Sequence, residues 1–228
     1  MKKVLFLFLS AIILTSCEKN VEFNNPAFQG FIDNSIWKAT NFSATKSASG
    51  EMTIKGFATG NVTLNLNSAT LGTHVLGTTD ASNFASYTVT KASSNFIYTT
   101  GIASSSVNKI TLSTGGTGYT TSSLVPTVGG SGFGLKVDII ANTNGVITSV
   151  TTNAMGNNYR AGDIITIASG DANATFIVQN VSKSNGEITI TEYNGTTISG
   201  NFKFIAYDAV NRKIASCQNG VFYKIPVK

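Results

Sequence analysis

The chain has 228 residues, a formal net charge of +5 and only 12% charged residues, about half the usual charged share. That composition excludes a long solvated helix, a coiled coil and an ion-pair-laced surface. The 42% hydrophobic content excludes disorder as the main state. Thr, Asn and Gly number 30, 23 and 22; Thr favours strands and Asn and Gly favour turns, so the expected class is all-β.

Residues 1–16 read as a signal peptide. Lys2 and Lys3 form a positive start, and Val4 to Leu14 is an apolar run of eleven residues. A helix of that length reaches roughly half of a ~30 Å hydrocarbon core, too short to span it. Leu14-Thr15-Ser16-Cys17 has the lipobox pattern of an aliphatic residue, two small ones and a cysteine that accepts lipid. The expectation is cleavage before Cys17 and lipidation there, with thioether diacylglycerol and an N-acyl chain such as palmitate; two or more acyl chains anchor stably. The partner so implied is a membrane, and the expected location is the outer membrane, on its periplasmic or its surface face. Export to the surface would go with acidic residues just after the cysteine, and Glu18-Lys19-Asn20-Val21-Glu22 is only partly acidic. Cys217 is then left without a disulfide partner. Removing Lys2 and Lys3 leaves +3 on the mature chain and no Lys/Arg cluster, so no nucleic-acid partner is expected.

Residues 17–26 read as a polar tether. From Phe28 the pattern is of strands: Phe28–Trp37 with a turn at Asp33-Asn34, then Met52–Ala58 and Asn61–Asn67 as a hairpin about Thr59-Gly60. Further strands are expected at 74–77, 86–90, 95–99 and 108–112, then at 187–192, 198–207, 213–217 and 221–225. Val62, Leu64 and Leu66, like Phe202, Phe204 and Ala206, alternate with polar residues and give one buried face. Residues 110–139 and 150–179 align without a gap at an offset of forty, placing Gly116 on Gly156, Tyr119 on Tyr159 and Gly130 on Gly170. We read this as an internal duplication. The expected organisation is an antiparallel β-sandwich or barrel-like host domain, 27–108 and 184–228, carrying an inserted β-repeat subdomain at 109–183.

Phe28-Gln-Gly-Phe-Ile-Asp-Asn-Ser-Ile-Trp37, Ile54-Lys-Gly-Phe57 and Leu71-Gly-Thr-His-Val-Leu-Gly77 resemble the N-terminal half of a family of small lipoproteins, domain of unknown function family 6252. Gly186–Ile190, Ile198–Phe204 and Asn219–Phe222 resemble its C-terminal half. These lipoproteins occur mainly in Bacteroidota, often behind a Ser-Cys lipobox. The family has no assigned activity, so the resemblance implies location and fold class but no catalytic residue. Segment 109–183 departs from that pattern, and separately resembles Gly-Tyr β-repeats of phage virion and bacterial surface proteins.

Chemistry-bearing residues are sparse. His74 is the one histidine, and no nucleophile elbow accompanies it. A zinc site needs three or four ligands, which this chain does not offer, so no metal and no cofactor is expected. Glu187 and Glu192, five apart on one strand, should face opposite ways. Asp171 and Asn173 could meet a calcium ion only as a lone pair in a turn. Trp37, Tyr119, Tyr159 and Phe133 are the candidate ligand contacts, since exposed aromatic rings stack on sugars. The first three each have a packing alternative: Trp37 beside Phe31 and Ile36, and the two tyrosines as pins for their Gly-rich turns.

These features point to a noncatalytic cell-envelope binding or adhesion module, with a glycan or an envelope protein as partner. The alternatives are a periplasm-facing accessory lipoprotein of an outer-membrane complex and a carrier of small ligands. An enzyme is the least supported class.

Overall fold

Residues 25–228 are described in a computed structural model. The signal peptide, Cys17 and the tether, apart from Asn25 and Pro26, lie outside the described residues. Those described form seventeen strands and no helix. The first eight are β1 (Ala27–Ile32), β2 (Ser35–Lys38), β3 (Asn41–Lys46), β4 (Met52–Phe57), β5 (Gly60–Leu66), β6 (Gly72–Leu76), β7 (Phe84–Lys91) and β8 (Ser94–Thr99). Six more follow as β9 (Val107–Thr114), β10 (Ser122–Gly129), β11 (Phe133–Ala141), β12 (Ile147–Asn157), β13 (Ile164–Ile167) and β14 (Thr175–Val181). The last are β15 (Asn185–Tyr193), β16 (Thr197–Asp208) and β17 (Lys213–Pro226).

They make two antiparallel sheets. The larger has eleven strands in the order β2-β1-β17-β16-β8-β7-β5-β4-β3, with β15 and β6 joined to β16 as a wing. It curls into a half-barrel rather than a sandwich. Its far edge returns to the chain end: the Lys228 N–H donates to the Ala44 carbonyl (2.9 Å) and the Lys46 N–H to that of Lys228 (3.3 Å). The β1–β2 hairpin folds over the interior, where Trp37 Nε1 donates to the Gly60 carbonyl (2.8 Å).

Packing of rings against glycines sets the centre of this sheet. On the β16–β17 pair, Gly200 stands opposite Phe222 and Phe202 opposite Gly220. A Cβ at Gly200 would lie 2.4 Å from the Phe222 ring, and one at Gly220 would lie 2.6 Å from that of Phe202. Phe28 then meets Trp37 edge-on at 5.3 Å and Phe202 at 5.4 Å. Pairs of this kind are worth about 0.5–1.5 kcal/mol beyond their burial. The interior is filled with side chains, Met52, Ile54, Leu64, Leu66 and Phe204 among them.

The six-stranded sheet, order β12-β11-β10-β13-β14-β9, is a nearly closed barrel with its own core around Leu135, Ile139, Ile165 and Phe176. An offset of forty residues carries β9 onto β12, β10 onto β13 and β11 onto β14. The strand order then reads the same from either end, with β10–β13 at the centre and β9 and β12 meeting at the seam. Across that seam the Tyr119 N–H donates to the Gly145 carbonyl (3.0 Å) and the Tyr159 N–H to the Ser105 carbonyl (2.8 Å). These two bonds are the same contact displaced by forty at both ends. The chain enters at Val107 and leaves at Val181, which are register partners. Asn180, buried at this junction, donates through Nδ2 to the Leu76 carbonyl of the larger sheet (3.1 Å) and accepts from Asn108 (2.9 Å).

Two details depart from the sequence reading. β3, a largely polar stretch, was not expected as a strand. Segments 213–217 and 221–225 form one strand, β17, bent by a bulge at Gln218–Gly220, where Asn219 takes φ +50°.

Cys217 is free and buried within the larger sheet, where burial and then the charge of Asp33 push its thiol up to about 12 from an ordinary 9.0. The neutral thiol is the native form. Its contribution is therefore complete below pH ~9 and is lost as pH rises toward ~12, at about 1.4 kcal/mol per pH unit. Urea midpoints between pH 8 and 10.5 should fall more steeply for the native sequence than for Cys217→Ala; equal slopes would show that this thiol does not titrate on unfolding.

Candidate functional site

The larger sheet carries a groove on the outer face of β15, β16 and β17. Alternation on β16 turns Phe202 and Phe204 into the core and leaves Asn201 and Lys203 exposed. The register aligns one row across six strands: Thr73, Thr189, Asn201, Val221, Gln29 and Lys38. Beside it, Lys203 Nζ lies 2.9 Å from Glu187 Oε1. This is the ion pair found among the described residues, and it is exposed enough to be worth at most about 1 kcal/mol. The groove encloses about 310 Å³ between Glu187, Thr189, Asn201, Lys203, Asn219 and Val221. A second hollow of about 280 Å³ shares Glu187 and Lys203 with it and extends to Asn108, Lys109, Asn180 and Asn185. The two form one trough that starts on the larger sheet and ends against the smaller barrel.

Its lining mixes hydrogen-bonding side chains with apolar surface at Phe202 and Val221, and carries charge at Glu187, Lys203 and Lys109. Each asparagine offers two donors and one acceptor oxygen, lysine three donors, and glutamate acceptors only. Threonine hydroxyls add groups of either kind, as in the Thr73–Thr189 contact of 2.9 Å. Val221 gives the floor an apolar patch. Among the described residues no three of His, Cys, Asp and Glu cluster as metal ligands.

The residues singled out from the sequence lie elsewhere. Tyr119 and Tyr159 are 3% and 2% exposed, in the core of the smaller barrel. The Tyr119 hydroxyl accepts from the backbone N–H groups of Asn173 (3.1 Å) and Ala174 (2.9 Å). The Tyr159 ring lies against Gly132 and Gly156. Neither tyrosine offers a ring face to a sugar; both pin turns, which corrects the ligand-contact expectation. Trp37 is 6% exposed and packed against Phe28, so it too has no free stacking face. Cys17 lies outside the described residues.

His74 stands on β6 with Nε2 3.0 Å from the Thr70 carbonyl. Asp171 accepts from the Thr117 hydroxyl (2.7 Å) and Asn173 from the Thr117 N–H (2.9 Å), so both hold a glycine turn. The bulge between Ile190 and Glu192 breaks the period-two argument for Glu187 and Glu192. Five residues of strand nonetheless put them ~16 Å apart along the strand, beyond the ~5–10 Å of a glycosidase pair. The trough itself escaped sequence reading, because its residues come from strands far apart in the chain and converge only through register.

Replacing Tyr119 by Phe leaves two backbone N–H groups without their acceptor, at a cost of about 1–3 kcal/mol. Urea unfolding should register that loss, and hydrogen exchange should show it first between residues 107 and 181; an unchanged midpoint would remove the pinning role.

A family model described as Domain of unknown function (DUF6252) matches residues 24–130 and 134–226. The match runs through both sheets, so it draws no boundary around the smaller barrel. No curated protein and no solved structure matches the chain. With nearly the whole described length covered, the chain belongs to the DUF6252 family of domains of unknown function.

Proposed function

We propose that this protein is a lipid-anchored, noncatalytic binding module of the cell envelope, and that the trough between the two barrels holds a glycan. The observation that carries the reading is the trough's chemistry. It lines up amides, hydroxyls, one ion pair and the Lys109 ammonium beside apolar surface at Phe202 and Val221, with Glu187 as the one carboxylate in its lining and no clustered metal site among the described residues. Pyranose rings present alternating donors and acceptors on an apolar frame, and a shallow polar site of this kind suits them. The lipobox at Leu14–Cys17 supports attachment to the outer membrane and a bacterial envelope context of the Bacteroidota type. The scarcity of acids and bases supports a binding role over an enzymatic one.

An Asn201→Ala/Lys203→Ala variant should lose roughly tenfold or more in affinity for envelope or host glycans on an array, the worth of one or two hydrogen bonds. Its thermal midpoint should fall by no more than ~4 °C, because both side chains are exposed and the lost Lys203–Glu187 pair is worth at most about 1 kcal/mol. Unaltered binding would reject the trough as the site.

Cys17→Ser should move the protein from the membrane to the soluble fraction. Protease shaving of intact cells then separates two roles. Loss of the native protein, with a periplasmic control intact, places the module outside as an adhesin or glycan receptor. Full protection places it inside, as an accessory subunit of an outer-membrane complex.

A further inference from the structure

The two ends of the trough offer different uncommitted groups. At the sheet end these are amides. Asn201 and Asn219 line that hollow, and among the described residues neither side chain makes a hydrogen bond. Val221 lies beside Asn201 in register. Free amides next to apolar surface suit the hydroxyls and ring carbons of a neutral sugar.

At the barrel end the amides are already occupied. Asn180 is 2% exposed; its Nδ2 donates to the Leu76 carbonyl, and its Oδ1 accepts from Asn108. Asn185 Nδ2 donates to the carbonyls of Val181 and Ser182, both at 3.0 Å. These bonds fix the junction and leave one strong donor over, the ammonium of Lys109. Lys109 stands exposed on β9, in register with Asn180, and lines the same hollow of about 280 Å³ as Glu187 and Lys203. No carboxylate answers its charge. Glu187 is the one acid of the lining, and Lys203 holds it at 2.9 Å. That pairing follows from register: Glu187 and Lys203 are cross-strand partners on β15 and β16, whereas Lys109 belongs to the other sheet. Among the described residues Lys109 enters no ion pair. Two lysines against one glutamate leave the trough positive, with the excess at its barrel end.

We infer that the glycan held in the trough is acidic, with its carboxylate or sulfate ester on Lys109 and a neutral sugar over Asn201, Asn219 and Val221. The inference rests on the trough being the glycan site and adds its specificity. Lysine is a compact point charge and takes either anion. A charge-assisted hydrogen bond is roughly twice as strong as a neutral one, so Lys109 selects the ligand that the amides of the sheet end then hold.

The full-length protein, solubilised in detergent, is titrated with two series of probes. Lactose, sialyllactose and sulfated lactose share one neutral body; a hyaluronan tetrasaccharide is compared with its carboxyl-reduced form. In at least one series an acidic member should bind about 10-fold or more tightly than its neutral counterpart, and the preferred lactose derivative identifies the anion. Raising the salt from ~0.05 to ~0.5 M should erode that preference. Lys109→Ala should remove the preference and keep the thermal midpoint, since the side chain is exposed and unpaired, while Lys109→Arg should retain it. Asn201→Ala should weaken acidic and neutral members by the same factor. Equal binding of acidic and neutral members, or a preference that survives Lys109→Ala, would overturn the inference and leave the glycan reading standing for neutral sugars. Binding of no glycan, in these series or on the array, would reject that reading and this inference with it.

Discussion

The close approach of aromatic rings to glycine is the constraint on which both barrels depend. In the larger sheet, Phe202 and Phe222 each lie over the glycine opposite, and that reciprocal pairing presents Phe28 with two ring edges. In the smaller barrel, Tyr119 lies against Gly116 and Gly170, and Tyr159 against Gly132 and Gly156. Any added Cβ meets ring atoms at under 3 Å at these positions. A strand glycine normally weakens a sheet because it packs nothing; here a neighbouring ring supplies the missing contact, as in the aromatic rescue used in sheet design. The chain's high glycine content is therefore partly a packing device and only partly a turn signal.

This also explains what was legible. β1, β2, β4, β5 and the central part of β16 show period-two alternation, and Asp33-Asn34 both take positive φ as their turn requires. β3 was missed because Asn41–Lys46 buries only Ala44 at an edge, so alternation there has almost no apolar side to display. Gln218-Asn219-Gly220 reads as a turn by composition. The structure uses the same residues as a bulge, since Gly220 must stay in register opposite Phe202. The two tyrosines were visible as a repeated pair, but sequence spacing cannot say which side of a turn a ring covers. The trough was beyond reach for a different reason: Gln29, Thr73, Thr189, Asn201 and Val221 are neighbours only through strand pairing.

Low charge shapes the trough. With 12% charged residues, few carboxylates are present to neutralise the lysines, and those present are largely used in turns. Asp208 shows this. Burial alone would raise its pKa, yet N–H donors from Asn211, Ile97 and Val210 hold the carboxyl below the usual range. Asp138 is held low by Asn153 and the Leu124 N–H. Carboxylates tied to backbone in this way do not compete for ligands. The trough sets the Glu187–Lys203 pair and the Lys109 ammonium among asparagine amides.

The palindromic strand order of the smaller barrel has a consequence for how such a segment can grow. In a solenoid each repeat offers a fresh edge to the next, and copies add without limit. Here each forty-residue copy contributes three strands, and the second closes on the first through the Tyr119–Gly145 and Tyr159–Ser105 contacts. A third copy would find its docking edge already occupied and could enter only by breaking that seam. The copy number is thus fixed by closure, and lineages that change this protein should vary the loops of the ring rather than its length.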